Sequence, residues 1–112
     1  MLAKANRIVR ANDYRAVVRR GTKFPAPHTL TYVRITPGQT EKRFGFIVGK
    51  TIGSAPVRNT VRRRLKAVAF DLLAEVPAGA DVVIRALPAS AQASWSTLHQ
   101  EISNAVHRAG TR

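Results

Sequence analysis

Val57, Val61, Leu65, Val68 and Leu72 recur every three or four residues, so a helix over this stretch carries one apolar stripe roughly 80° wide. Asn59, Arg62, Arg63 and Lys66 lie opposite that stripe, and Arg58 and Arg64 flank it. Pro56 suits the first turn, where its missing N–H costs nothing. Pro77-Ala78-Gly79 breaks the helix. Such a helix must bury its stripe against a sheet or other helices and leave its other face in water.

That outer face has an unusual charge pattern. Solvated helices normally mix signs so that i,i+4 pairs attract, whereas Arg58, Arg62 and Lys66 place like charges at that spacing. Between Lys42 and Lys66 there are eight Lys/Arg and no Asp or Glu. Repulsion of this kind is relieved by a polyanion, which points to nucleic acid. Residues 1–66 hold sixteen Lys/Arg against Asp13 and Glu41, a net of +14; residues 67–112 hold three Arg against four acids, a net of −1; the sum is the chain's +13. The partner is therefore expected on the first sixty-six residues. Arg guanidinium groups match phosphate bidentately. Asn59 among them suits a base edge or sugar hydroxyl, or a local bond to backbone near the helix start.

With 112 residues, 45% of them hydrophobic, the chain is expected to fold as one domain, residues 1–112, around one core. It has no cysteine, which excludes disulfides and thiolate metal sites and suits the cytoplasm. His28, His99 and His107 are scattered, so no protein-held metal is expected. No apolar run approaches the ~20 residues that span a bilayer, so no membrane partner is expected. The amino-terminal residues lack the apolar segment of a secretory signal.

Asn12 suits the cap of a helix through Tyr14 to Arg20, ended by Gly21. Residues 29–35 read as a strand, with Leu30, Tyr32 and Arg34 on one face. Pro37-Gly38 signals a turn, and Arg43 to Val48 reads as the next strand, so these two are expected to pair as a hairpin. Val82-Val83-Ile84 suits a buried strand. Pro88 to Ala93 reads as a loop. A last helix carries Trp95, Leu98, Ile102 and Val106 on one face, with Gly110 at its end and Thr97 with Gln100 as a capping box if it starts late. The order is α-β-β-α-β-α, with room for a further strand around residues 21–25.

Two motif readings can be weighed here. Gly45 to Thr51 has three residues between its glycines where a P-loop has four, and Phe46, Ile47 and Val48 fit a buried strand better than a phosphate loop. Tyr14, Leu30 and Tyr32 offer aromatic and apolar surface beside a basic rim, which is the composition of a stacking platform for single-stranded nucleic acid, though small domains usually bury such residues as core. Six acids in all, with no paired spacing, leave little material for catalysis.

The chain resembles the protein subunit of bacterial ribonuclease P. That family carries Lys-x-x-Gly-x-Ala-x-x-Arg-Asn-x-x-Lys/Arg-Arg, matched here by Lys50, Gly53, Ala55, Arg58, Asn59, Arg62 and Arg63. Arg7-Ile8, Asp13-Tyr14, Gly21, Tyr32 and Asp81-Val82-Val83-Ile84 extend the similarity over nearly the whole chain. The resemblance implies an α+β fold: an α-β sandwich with a four-stranded sheet and a left-handed βαβ crossover, similar to a ribosomal protein domain. It implies a subunit of an endoribonuclease that makes the mature 5′ end of tRNA, with catalysis by a partner RNA and Mg²⁺ at the RNA's active site, held by no residue of this chain alone. The implied partners are ribonuclease P RNA and precursor tRNA, with no protein partner required. Lys50, Arg58, Asn59, Arg62, Arg63 and Lys66 then face the catalytic RNA. Tyr14, Val18, Leu30 and Tyr32 fall where the family lines a cleft for the 5′ leader; Val18 stands where Phe is common, so one stacking partner is missing. The alternatives are a structural rRNA-binding protein and a DNA-binding module, although residues 50–57 do not supply a helix-turn-helix presentation.

Overall fold

The computed structural model describes residues 2–111. Its elements are α1 (Ala11–Arg20), β1 (Thr22–Pro25), β2 (Thr29–Ile35), β3 (Arg43–Ile47), α2 (Ala55–Leu72), β4 (Ala80–Ala86) and α3 (Trp95–Gly110). The strands form one mixed sheet in the order β1-β2-β4-β3. The strand expected around residues 21–25 is β1.

The expected hairpin between the second and third strands does not form. β4 lies between them, antiparallel to β2 and parallel to β3. The physical reason is the composition of β4: all its residues but Arg85 are buried, on both faces, and such a strand gains most from a central place. Parallel pairing of β3 with β4 in turn needs a long crossover, which α2 supplies. The hairpin that does form joins β1 to β2, pairing Pro25 with Leu30 and Thr22 with Val33.

Alternation along the strands sorts the two faces. Phe24, Val33, Phe44, Val82 and Ile84 pack with Val61, Leu65, Val68 and Leu72 of α2 and Leu98, Ile102 and Val106 of α3. This is the main core, and the α2 stripe enters it as its spacing predicts. On the other face Tyr32 and Val83 pack with Ile8 and with Val17 of α1, bordered by Tyr14, Val18, Leu30 and Ile47. The layers are α2 and α3, the sheet, then α1 alone, so one sheet face is less fully covered than the other.

Two helix starts differ from expectation. Arg10, not Asn12, is the N-cap of α1: the Asp13 and Tyr14 amides already donate to the Arg10 carbonyl, leaving Asn12 inside the first turn. Gly21 ends α1 as expected, with extended backbone; a side chain there would meet the Val17 and Val33 carbonyls. Ser94, not Thr97, caps α3, its hydroxyl accepting from the Thr97 amide at 3.1 Å. Leu98, Ile102 and Val106 are buried as expected, but Trp95 is 40% exposed and its ring stacks on His99. Pro88–Gln92 is a short 3-10 segment within the expected loop. Among the described residues no helix is long and apolar enough to cross a membrane.

Candidate nucleic-acid interface

The basic residues of α2 do not all play the same part. Arg58 is half-buried, and its guanidinium donates to the Gly53 carbonyl at 2.9 Å. Gly53 has φ +148°, a value that favours glycine, and it closes the 3-10 turn Lys50–Ile52. Arg58 thus latches the turn that carries Lys50 against the start of α2. Arg64, the other flanking arginine, donates to the Ala93 carbonyl at 3.1 Å and ties α2 to the loop before α3. Both are held by the fold before any ligand arrives.

The remaining residues are free to meet one. The Asn59 carboxamide accepts from Arg62 at 2.8 Å, and the Thr60 hydroxyl accepts from Arg63 at 3.4 Å, both one turn apart on the helix surface. Among the described residues the Asn59 side chain bonds Arg62 rather than backbone, and so steadies one arginine of the row. Lys50, Asn59, Arg63 and Lys66 are exposed and Arg62 is half-buried. Among the described residues no carboxylate pairs with Lys50, Arg62, Arg63 or Lys66. The acids that do pair lie elsewhere: Asp71 with His99, Glu75 with His107, Glu101 with His28, and Asp13 and Asp81 with Arg43. An arginine row without internal counterions is an electrostatic footprint for phosphate.

The second set of sequence-derived residues, Tyr14, Val18, Leu30 and Tyr32, is brought together on the α1 side of the sheet. Tyr32 is only 4% exposed, so its ring is the floor of this surface rather than an open stacking face. The registers build rows across it: Lys23 beside Tyr32, then Val83, then Gly45; and Pro25 beside Leu30, then Arg85, then Ile47. Lys23 and Arg85 are exposed and Arg34 is half-buried on this same face. The Lys23 ammonium stands 6.0 Å from the Tyr32 ring centroid, at the outer reach of a cation–π contact. Lys23 and Arg85 were not foreseen from the sequence; strand alternation could have grouped them with Leu30 and Tyr32 only once the pairing register was known.

Tyr14 joins the two surfaces. Its hydroxyl accepts from the Phe46 amide at 3.1 Å, and its ring packs against Gly45. A Cβ at Gly45 would stand 2.6 Å from a Tyr14 ring carbon. Gly45 thus has a packing reason to lack a side chain: it makes room for Tyr14. Gly→Ala in a strand ordinarily gains a little by restricting the unfolded chain. Here Gly45→Ala is expected to destabilise by about 1–3 kcal/mol, because the ring must lift and its bond to Phe46 breaks. A thermal melt that is unchanged or raised would show that the ring does not rely on that gap.

Among the described residues no group of three or more His, Asp or Glu side chains converges as metal ligands. The Arg43 guanidinium is pushed up from its ordinary range, mainly by its hydrogen bond to Asp81.

Comparison with known proteins gives a consistent match. The family model for ribonuclease P matches residues 2–110. The ribonuclease P protein component of Clavibacter michiganensis is 45% identical over 109 residues, covering 97% of this chain and 96% of that one. The ribonuclease P protein component of Streptomyces bikiniensis is 37% identical over 123 residues, covering all of both chains. In three dimensions the chain is similar to the ribonuclease P protein of Staphylococcus aureus, with a TM-score of 0.81 at 18% identity and 96% of each chain covered. It is also similar to that of Thermotoga maritima, with a TM-score of 0.79 at 19% identity, covering 91% of this chain and 96% of that one.

Proposed function

This chain belongs to the ribonuclease P protein family, and from that premise we propose how its two surfaces divide the work of an RNA-based endoribonuclease. The outer face of α2, with Lys50 and the latch made by Arg58, binds the catalytic RNA. The α1 side of the sheet binds the 5′ leader of precursor tRNA, with Tyr14, Val18 and Leu30 lining it over the Tyr32 floor and Lys23 and Arg85 meeting phosphates. Cleavage is a reaction of the partner RNA, with Mg²⁺ on RNA phosphates, and no step runs through a metal on this chain.

The observation that carries this reading is the arginine row of α2, paired with no carboxylate among the described residues and held in place within the helix surface. Two RNAs repel each other, and a +13 protein between them lowers the electrostatic cost of their approach. The Arg62 and Arg63 forks match phosphate oxygens, while Lys50 and Lys66 act as point charges. On the leader side the contacts are apolar surface plus charge, an arrangement that tolerates many sequences.

The direct test is cleavage of 5′-labelled precursor tRNA at low Mg²⁺, with and without bacterial ribonuclease P RNA. Leader release at low Mg²⁺ only when both components are present supports the subunit reading. No stimulation over RNA alone, with folded protein and a matched RNA, returns the chain to general or ribosomal RNA binding. Cleavage by protein alone, with contaminating nuclease excluded, would move the chemistry onto this chain.

The leader surface has its own test. Tyr32→Ala would hollow the second core and so confound binding with folding. The double variant Lys23→Ala, Arg85→Ala changes exposed side chains instead. It is expected to bind precursor tRNA about 10-fold more weakly in the holoenzyme, through loss of two charge-assisted contacts, and mature tRNA unchanged. Equal losses for both substrates would remove the leader from this face.

A further inference from the structure

Phe70 is the least expected residue on α2. It is 52% exposed and continues the basic face, four residues after Lys66 and seven after Arg63. A single exposed Phe is ordinary, but this one lines a groove of about 620 Å³ between α2, β3 and the amino-terminal segment. That volume lies within the roughly 300–1,000 Å³ of small-ligand sites. Phe46 lines the same groove, backed by the stacked ring of the buried Phe44. Arg7, Arg62, Arg63 and Lys66 also line it, and no carboxylate does. Phe70 also borders a second depression, where Lys42 stands beside Glu41 and Asp71. Of these two depressions, the groove shared with Phe46 is the one whose charged lining residues are all cationic.

We propose that this groove is a subsite for one unpaired nucleobase of an RNA, stacked on Phe70 with its neighbouring phosphates on Arg63, Lys66 and Arg7. Each component matches part of that ligand: an aromatic face for the base, a second ring in the same groove, and cations for the backbone on either side. A paired helix has no free base to offer, so the subsite selects a bulge, loop or extruded nucleotide. The inference rests on the reading that the α2 face binds RNA, and it adds which feature of the RNA is bound at the carboxy-terminal end of that face.

Two RNA hairpins of equal length and charge provide the test, one with a single bulged adenosine and one with an abasic residue at that place. By equilibrium binding the protein should prefer the base-bearing hairpin by about 5- to 100-fold, the affinity range of one base–aromatic stack. Phe70→Ala should abolish that preference without changing affinity for the abasic hairpin, and Phe70→Tyr should keep it. A bulged 5-iodouridine should photo-crosslink to the peptide carrying Phe70. If both hairpins bind equally to the unaltered protein, or if Phe70→Ala keeps the preference, the subsite is overturned while RNA binding by α2 stands. Failure of both hairpins to bind overturns the two together. A dimer that dissociates in Phe70→Ala, with no base preference, would assign the ring to a second copy of the chain instead.

Discussion

Replacing Arg62, Arg63 and Lys66 together by alanine is expected to weaken binding to ribonuclease P RNA by about 100-fold near physiological salt, at roughly 1 kcal/mol for each exposed charge-assisted contact. The slope of log affinity against log salt should flatten by about 2 to 3, since each lost phosphate contact removes about 0.7–0.9. Folding should not suffer. Among the described residues none of the three side chains bonds outside its own helix, and their removal relieves the like-charge pair of Arg62 and Lys66. The melting temperature should therefore stay at or above that of the unaltered protein. Binding titrations at four salt concentrations, with a melt as control, measure both quantities. An unchanged slope in the triple variant would take the α2 face out of the RNA interface. Arg58→Ala is the poorer probe, because it also releases the Gly53 turn.

The largest single-residue effect on stability is expected at Arg43. Asp81 is central in the sheet with its side chain only 7% exposed. Its two oxygens accept from the Arg43 Nε and Nη2 at 2.8 Å each, and Gln39 donates to it at 3.1 Å. Arg43 also reaches Asp13 of α1 at 3.5 Å, so one guanidinium joins β3, β4 and α1. Arg43→Ala leaves a buried carboxylate with one weak donor. Removing one partner of a buried pair costs about 3–5 kcal/mol, and the lower end applies because Arg43 itself is partly exposed. At about 4 °C per kcal/mol, the melt should fall by roughly 12 °C. Adding Asp81→Asn to Arg43→Ala should recover part of that loss by removing the stranded charge. A double variant no more stable than Arg43→Ala would mean that the cost lies in lost packing rather than in the carboxylate.

The limits of the sequence are visible at particular residues. The α2 stripe, the basic face opposite it and the strand at residues 29–35 were legible because each is a local period, and burial follows period directly. The partner of β3 was not legible. Pro37-Gly38 looked like a hairpin turn, yet β4, some forty residues later in the chain, takes the place beside β2 because it is buried on both faces. The site divides the same way. Asn59, Arg62, Arg63 and Lys66 were legible as one basic face and Tyr14, Leu30 and Tyr32 as one surface, while Lys50 and Val18 joined them through the family resemblance. That Arg58 is a latch, that Tyr32 is a floor, and that Lys23 and Arg85 share the face of Leu30 all depend on contacts outside the local period.

By itself the sequence determined the charge, its confinement to the first sixty-six residues, and a helix with one apolar and one cationic face, since these need only composition and spacing. The tertiary structure decided which cations remain free for a ligand and which are spent on carbonyls. It also decided that Gly45 must be bare for Tyr14, and that Phe70 ends a cationic groove. These outcomes are set by strand register and by close approach of residues distant in the chain. A one-residue slip of register would send every side chain of a strand to the opposite face.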